Sequence, residues 1–182
     1  MTSHKGFIVY PTYETLDGKT VIKLYGRLEN KQSFLVVHEF KPYFYIKTSD
    51  LKKIKKHLKS HKIENTELTN FKGDKVSKIL FATQPELTHT HDEIKKEVET
   101  YEADIRPHYR FLMDNNLLGN IEIEGDSFEE SESRVDKVFF NPEISQAKEF
   151  KGKLKLASID IEAGPEGLYC IGISTENHKK NF

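Results

Sequence analysis

The chain holds one cysteine, Cys170, which excludes an internal disulfide and any cysteine-rich zinc site. It has no long apolar run. Stretches such as Phe34-Leu35-Val36-Val37 are far too short to span a bilayer, so no membrane partner is expected. The opening residues, Met1-Thr2-Ser3-His4-Lys5-Gly6, lack the apolar stretch of a secretory signal, and these absences together favour the cytosol. Net charge is also small. The 28 basic residues stand against 29 acidic ones, for a formal charge of −1, so a nucleic-acid partner cannot be argued from overall charge and needs a local patch. No internal repeat is visible, and Asp126 to Ser133 (DSFEESES) reads as a solvated loop.

Against these absences stand 182 residues with 36% hydrophobic and 11% aromatic content, enough for a real core despite a mean hydropathy of −0.63. Charge is uneven along the chain. Lys47 to Lys62 carries seven lysines and one acid, and Glu122 to Asp136 carries seven acids and one arginine. The pattern predicts an α+β chain. Phe7–Tyr10 and Thr20–Leu28 flank the hairpin pair Asp17-Gly18, and Gln32–Phe40 continues as a third strand.

From Tyr43 the order reads β-α-β-β-α-β, the ferredoxin-like arrangement. It comprises a strand at Tyr43–Lys47, a helix over about 49–60 and strands at Ile63–Phe71 and Lys75–Phe81. A helix then opens at Thr83-Gln84-Pro85-Glu86, and a strand runs near Glu99–Ala103. A third helix is predicted from Ile105 to about Leu117, ended by Gly119, and short strands at Ile121–Glu124 and Lys137–Phe140 bracket the acidic loop. From Leu154 the chain changes character, with two strands, Leu154–Glu162 and Leu168–Ser174, around Gly164-Pro165-Glu166-Gly167. The polar stretch after Ser174 is expected to be a cut within a larger α/β domain, which sets domain limits of 1–150 and 151–182.

Asp160-Ile161-Glu162 is the sharpest chemical feature. Residues i and i+2 of a strand share a face, so two carboxylates stand side by side, a donor type that suits hard divalent ions. The run Leu156, Ile159, Ile161 reads as buried, and acids ending a buried strand need a partner or a metal. The bland reading is a solvated surface pair. Lys52, Lys53, Lys55, Lys56 and Lys59 either contact phosphates or form a solvated helix face. Tyr43-Phe44-Tyr45 could stack bases, with core packing favoured. His89 and His91 point to different helix faces and suit a polar surface better than chelation, and Cys170 reads as buried packing.

Tyr101-Glu102-Ala103-Asp104-Ile105-Arg106-Pro107 with Arg110-Phe111-Leu112-Met113 resembles the amino-terminal region of the family-B DNA polymerases, among them bacterial members. Gly6-Phe7-Ile8, Phe40-Lys41-Pro42-Tyr43-Phe44-Tyr45, Glu124-Gly125-Asp126, Ser158 to Glu162 and Leu168 to Gly172 agree in order and spacing. The resemblance implies an amino-terminal domain with a ferredoxin-like core, followed by the first β-hairpin of a 3′–5′ exonuclease domain of ribonuclease-H-like fold. Asp160 and Glu162 then match catalytic, metal-binding carboxylates for Mg²⁺ or Mn²⁺, while Ala163 stands where threonine is common.

The same resemblance implies a parent enzyme, a nucleotidyltransferase of DNA replication and repair in the bacterial cytoplasm, associated with the nucleoid. Its partners would be primer-template DNA, deoxynucleoside triphosphates and a sliding clamp. The chain alone is expected to be inactive. By motif position a template-strand pocket would include Tyr13, Pro42, Tyr43, Pro85, Glu102 and Arg110. Pro107 replaces an archaeal aromatic there, so template contact is expected rather than uracil reading. The alternative is a stand-alone nucleic-acid-binding module of ferredoxin-like fold without catalysis.

Overall fold

Asp17 and Gly18 both adopt positive φ, 48° and 73°, the backbone of a primed two-residue turn whose twist matches the strands it joins. They join β1 (Ser3–Leu16) to β2 (Lys19–Leu28) in a long antiparallel hairpin. A computed structural model describes residues 2–58, 61–128 and 134–182. Within it, residues 1–151 form one unit and residues 152–182 another. Lys59 and residues 129–133 of the acidic loop lie outside the described residues.

The first unit is built on two sheets. β1 and β2 join β3 (Ser33–Phe40), β8 (Asn120–Glu124), β9 (Lys137–Phe140) and β10 (Glu143–Gln146) in the order β10-β8-β1-β2-β3-β9. Every pairing is antiparallel except β3 with β9. Ile22, Leu24, Phe34, Val36, Ile121 and Ile123 project from alternating positions into one core, closed by Phe111 and Leu117. Gly26 is fixed by this packing. A Cβ there would lie 2.2 Å from the Phe7 carbonyl oxygen and 2.3 Å from the Phe34 ring.

The second sheet has the order β5-β6-β4-β7, from β4 (Tyr43–Lys47), β5 (Lys62–Thr69), β6 (Lys75–Leu80) and β7 (Thr100–Tyr101). Its core gathers Phe44, Ile46, Ile54, Leu58, Ile79, Phe81, Leu87 and Ile94. The last two come from α1 (Gln84–Ile94). Thr83 caps α1 by accepting from the Glu86 N–H at 3.3 Å, while Glu86 accepts from the Ala82 N–H at 3.0 Å. Two bonds on Thr20 tie the sheets together: its N–H donates to the Ala82 carbonyl and its hydroxyl accepts from the Gln84 N–H.

Of the helix expected over 49–60, the described residues 49–58 do not form an α-helix. A 3₁₀ turn at Thr48–Asp50 runs into successive turns closed by i→i+3 bonds, such as Lys53 N–H to Asp50 and His57 N–H to Ile54, both 2.9 Å. The burial of Ile54 and Leu58 holds the segment in place. The third helix is also shorter than expected. α2 (Pro107–Asp114) ends at Asn116, whose φ is 51°. Asn116 N–H donates to Met113 and Leu117 N–H to Leu112, a Schellman closure in which asparagine fills the left-handed position that Gly119 was expected to supply.

The second unit is an antiparallel sheet of order β11-β12-β13, from β11 (Ala157–Gly164), β12 (Gly167–Thr175) and β13 (His178–Asn181). The third strand falls in the polar stretch where none was expected. The run Leu156, Ile159, Ile161 is not buried: the three are 79%, 62% and 59% exposed, because three strands alone cover little surface. Cys170 is half-buried.

Candidate functional site

α2 is placed by sequence in three ways. Proline at its first turn suits the helix start, Phe111 enters the first core, and Arg110 and Asp114, four residues apart, share a face turned to β4. That face meets Tyr43. The Tyr43 hydroxyl donates to both Asp114 carboxylate oxygens, at 2.7 and 2.8 Å. The Arg110 guanidinium lies 4.9 Å from the Tyr43 ring centre and the Lys78 ammonium 3.7 Å from it, so the ring faces two cations. Arg110 in turn donates to Glu102, which follows β7 and holds a φ of 61°.

Burial, then the bond to Asp114, pushes the Tyr43 phenol far above its ordinary value, so it remains a neutral donor. Burial works against the Arg110 charge, but Glu102, Tyr43 and Asp114 together hold its pKa above the ordinary value. The structure thus brings Tyr43, Glu102 and Arg110 together, with Arg110 engaging both of the others. Pro42 is buried beside them, its carbonyl accepting from Phe81 N–H at 2.9 Å.

Tyr13 and Pro85 meet elsewhere, in an open cleft of about 440 Å³ between β1 and α1, lined also by Thr15, Gln84, Thr88, His89 and Asp92. Tyr13 stacks on His108 of α2, with ring centres 5.6 Å apart. Burial, then Arg106, lowers the His108 pKa and keeps the ring neutral near pH 7. Among the described residues, His108 Nδ1, Arg110 Nε and the Gln84 side-chain oxygen are buried without a hydrogen-bond partner. Sequence reading missed Asp114, Lys78 and His108. The i, i+4 spacing from Arg110 could have flagged Asp114, and the β4–β6 register that sets Lys78 opposite Tyr45 could have flagged Lys78.

The exposed lysines are partly engaged. Lys53 pairs with Asp50 at 2.7 Å and Lys56 with Glu97 at 3.4 Å, while Lys52 and Lys55 face solvent. His89 and His91 diverge: His89 is exposed near Glu93, and His91 bonds Thr100 at 3.1 Å.

In the second unit Asp160 pairs with Gly172 and Glu162 with Cys170 across β11–β12, so both carboxylates project from one face with Ile161 between them on the other. Both are exposed. Two carboxylates side by side suit a hard divalent ion as part of a ligand set. No group of three or more possible metal ligands occurs among the described residues. No helix among them is long and apolar enough to cross a membrane.

No family model matches the chain. DNA polymerase II of Escherichia coli (strain K12) is 35% identical over 77 residues, covering 42% of this chain and 9% of that protein. A DNA polymerase of Archaeoglobus fulgidus is 28% identical over 135 aligned residues, covering 67% of this chain and 17% of that protein. The family B DNA polymerase from the hyperthermophilic archaeon Pyrobaculum calidifontis shares the fold over 98% of this chain and 26% of its own, with a TM-score of 0.74 and 18% identity. The chain thus spans under a fifth of the length of the two curated relatives. Two DNA polymerase sequences thus align with parts of the chain, and a family B DNA polymerase shares its fold almost throughout.

Proposed function

We propose that this chain is the amino-terminal part of a DNA-directed DNA polymerase with 3′–5′ proofreading exonuclease, acting in replication and repair. Residues 1–150 contact and scaffold the template strand, and residues 151–182 begin the exonuclease domain. The observation that carries the reading is the shared fold over 98% of the chain, which spans both units. The strand order β5-β6-β4-β7 supports a ferredoxin-like reading of the second sheet, with a run of turns in place of its first helix. The three-stranded sheet that carries Asp160 and Glu162 is read as the opening of a ribonuclease-H-like domain.

Asp160 and Glu162 would hold Mg²⁺ or Mn²⁺ together with further carboxylates of the complete enzyme. Such ions generate the attacking hydroxide and stabilise the leaving oxygen in phosphodiester hydrolysis. The residues fit as hard oxygen donors, but two of them leave the ion mostly hydrated, so the chain alone is expected neither to extend nor to degrade DNA. Primer-template, deoxynucleoside triphosphates and a sliding clamp are partners of the complete enzyme in this reading, and the cytoplasm beside the nucleoid is its location.

The test is primer extension and single-strand degradation by the protein made from the complete source reading frame, with Asp160→Ala beside it. Extension in both proteins, with degradation lost in Asp160→Ala, is expected. No extension by the unsubstituted protein would overturn the reading. Degradation by the 182-residue chain itself, abolished in Asp160→Ala, would show that the nuclease site is complete within it.

A further inference from the structure

Phe71 is fully exposed, the most exposed of the large apolar side chains described, at the tip of the β5–β6 hairpin. A ring left in water on a floppy loop would fold back onto nearby apolar surface. Here the loop is braced against that. Asn70 exchanges backbone bonds with Asp74 and Gly73, at 2.9 and 3.0 Å. Its side-chain oxygen accepts from the N–H groups of Lys72 and Asp74, at 3.0 and 2.9 Å. Its amide nitrogen donates to the Asp74 carboxylate at 3.1 Å and to the Tyr101 hydroxyl at 3.0 Å, which fastens the tip to the sheet. Lys47 reaches Asp74 from β4 at 3.0 Å. The backbone that carries the ring is therefore held in place, and a braced loop leaves less order to be imposed on binding than a mobile one.

The surroundings select the partner. Lys72 is adjacent and Lys75 lies at the hairpin base. Of the nearby carboxylates, Glu67 is paired with Lys75 at 3.4 Å, Asp74 with Lys47 at 3.0 Å, and Glu99 accepts from the Tyr101 hydroxyl at 2.8 Å, which leaves Lys72, beside the ring in sequence, as the lysine of the tip without an ion pair among the described residues. Leu68 and Ile63 of β5 are the other exposed apolar side chains of the hairpin, at 54% and 40%, and three such side chains are far too small a patch for a stable protein interface of roughly 1,200 Å². A lone ring flanked by ammonium groups matches an unstacked nucleobase between phosphates.

We propose that Phe71 is a stacking contact for single-stranded DNA, with Lys72 and Lys75 on the flanking phosphates. This deepens the template-contact reading above and rests on it.

The chain contains no tryptophan, so Phe71→Trp creates a single fluorescent reporter at the tip. The full chain with this substitution is titrated with oligothymidylate while tryptophan emission is read. A labelled copy of the oligomer gives the binding isotherm by anisotropy. Quenching that tracks the anisotropy is expected, and an abasic oligomer of equal length should bind more weakly and leave the emission unquenched. Phe71→Ala should weaken binding about 5- to 100-fold, and Lys72→Ala with Lys75→Ala should lower the log–log salt slope by about 0.7 per lysine.

Anisotropy without quenching would overturn the stacking contact and leave the template-contact reading standing. No binding at low salt would overturn both. A blue shift on concentrating the protein without DNA would assign the ring to a protein contact and also overturn the proposal.

Discussion

Glu102 is held in a left-handed backbone conformation while its carboxylate pairs with Arg110, and substitutions there can separate the two effects. The Arg110 side chain is 10% exposed and that of Glu102 47%, which places the pair between a surface bridge of under about 1 kcal/mol and a buried one whose rupture costs about 3–5 kcal/mol. An intermediate figure of roughly 1–2 kcal/mol follows for losing the carboxylate. Glu102→Gln keeps an acceptor and is expected to cost about 1 kcal/mol. Glu102→Ala loses the pair and retains a Cβ at φ 61°, for the full 1–2 kcal/mol or so. Glu102→Gly loses the same pair but relieves about 1–2 kcal/mol of left-handed strain, against about 0.4–1 kcal/mol for the freer unfolded chain. Glycine should therefore be the better replacement by up to about 1.6 kcal/mol, the reverse of its usual standing against alanine. Urea unfolding followed by far-ultraviolet circular dichroism, at unchanged m value, measures the order. If alanine proves more stable than glycine, the backbone at 102 carries no strain and the reasoning fails.

Three further outcomes are expected. His108 and His4 both have pKa values lowered from 6.5, chiefly by burial. The unfolded chain therefore binds their protons first, and the melting temperature should fall as pH drops below about 6.5, with a shallower fall in His108→Gln. Gly26→Ala drives a methyl to 2.2 Å from the Phe7 carbonyl oxygen, and a loss of about 3 kcal/mol or more in urea unfolding is expected, because β1 must move to admit it. Replacing Lys52, Lys53, Lys55 and Lys56 with alanine should reduce only a weak, salt-sensitive affinity for single-stranded DNA, measured at two salt concentrations. Tight binding that ignores salt would contradict this, since exposed charges are screened within about 8 Å at physiological salt.

Much of this arrangement was legible in the residue pattern because strand alternation and turn chemistry are local. The hairpin at Asp17-Gly18, the cap at Thr83 and the strands of the second sheet all follow from residues within a few positions of one another. The segment from 49 to 60 was misread because an i, i+3, i+7 apolar stripe is shared by a helix and by a chain of tight turns. Burial of β11 was misjudged for a different reason: an apolar run reports what a strand could cover, not whether another layer is present to cover it. The partners of Tyr43 could not be read from local pattern at all. Asp114 lies 71 positions away, and its encounter with the phenol depends on where α2 docks.

The polar groups of this chain divide by whether the fold uses them up. Tyr43 gives its hydroxyl to Asp114 and its ring face to Lys78 and Arg110, while Arg110 is claimed again by Glu102. Groups so engaged set the position of α2 against the two sheets, and disturbing them for a ligand would leave the buried Arg110 cation without its partners. Asp160, Glu162, the Gln84 side-chain oxygen and the Phe71 ring stand in the opposite state. The first two are exposed on one strand face, the third is buried without a donor at the cleft, and the last is held in water by a loop built around Asn70. The carboxylates and the ring contribute little to folding where they stand, since exposed charge and exposed ring gain little from the native state, and the unpaired Gln84 oxygen costs its desolvation. Under the proposals above, binding energy for DNA or a metal is drawn from these positions, where the fold has left an acceptor or a π face open.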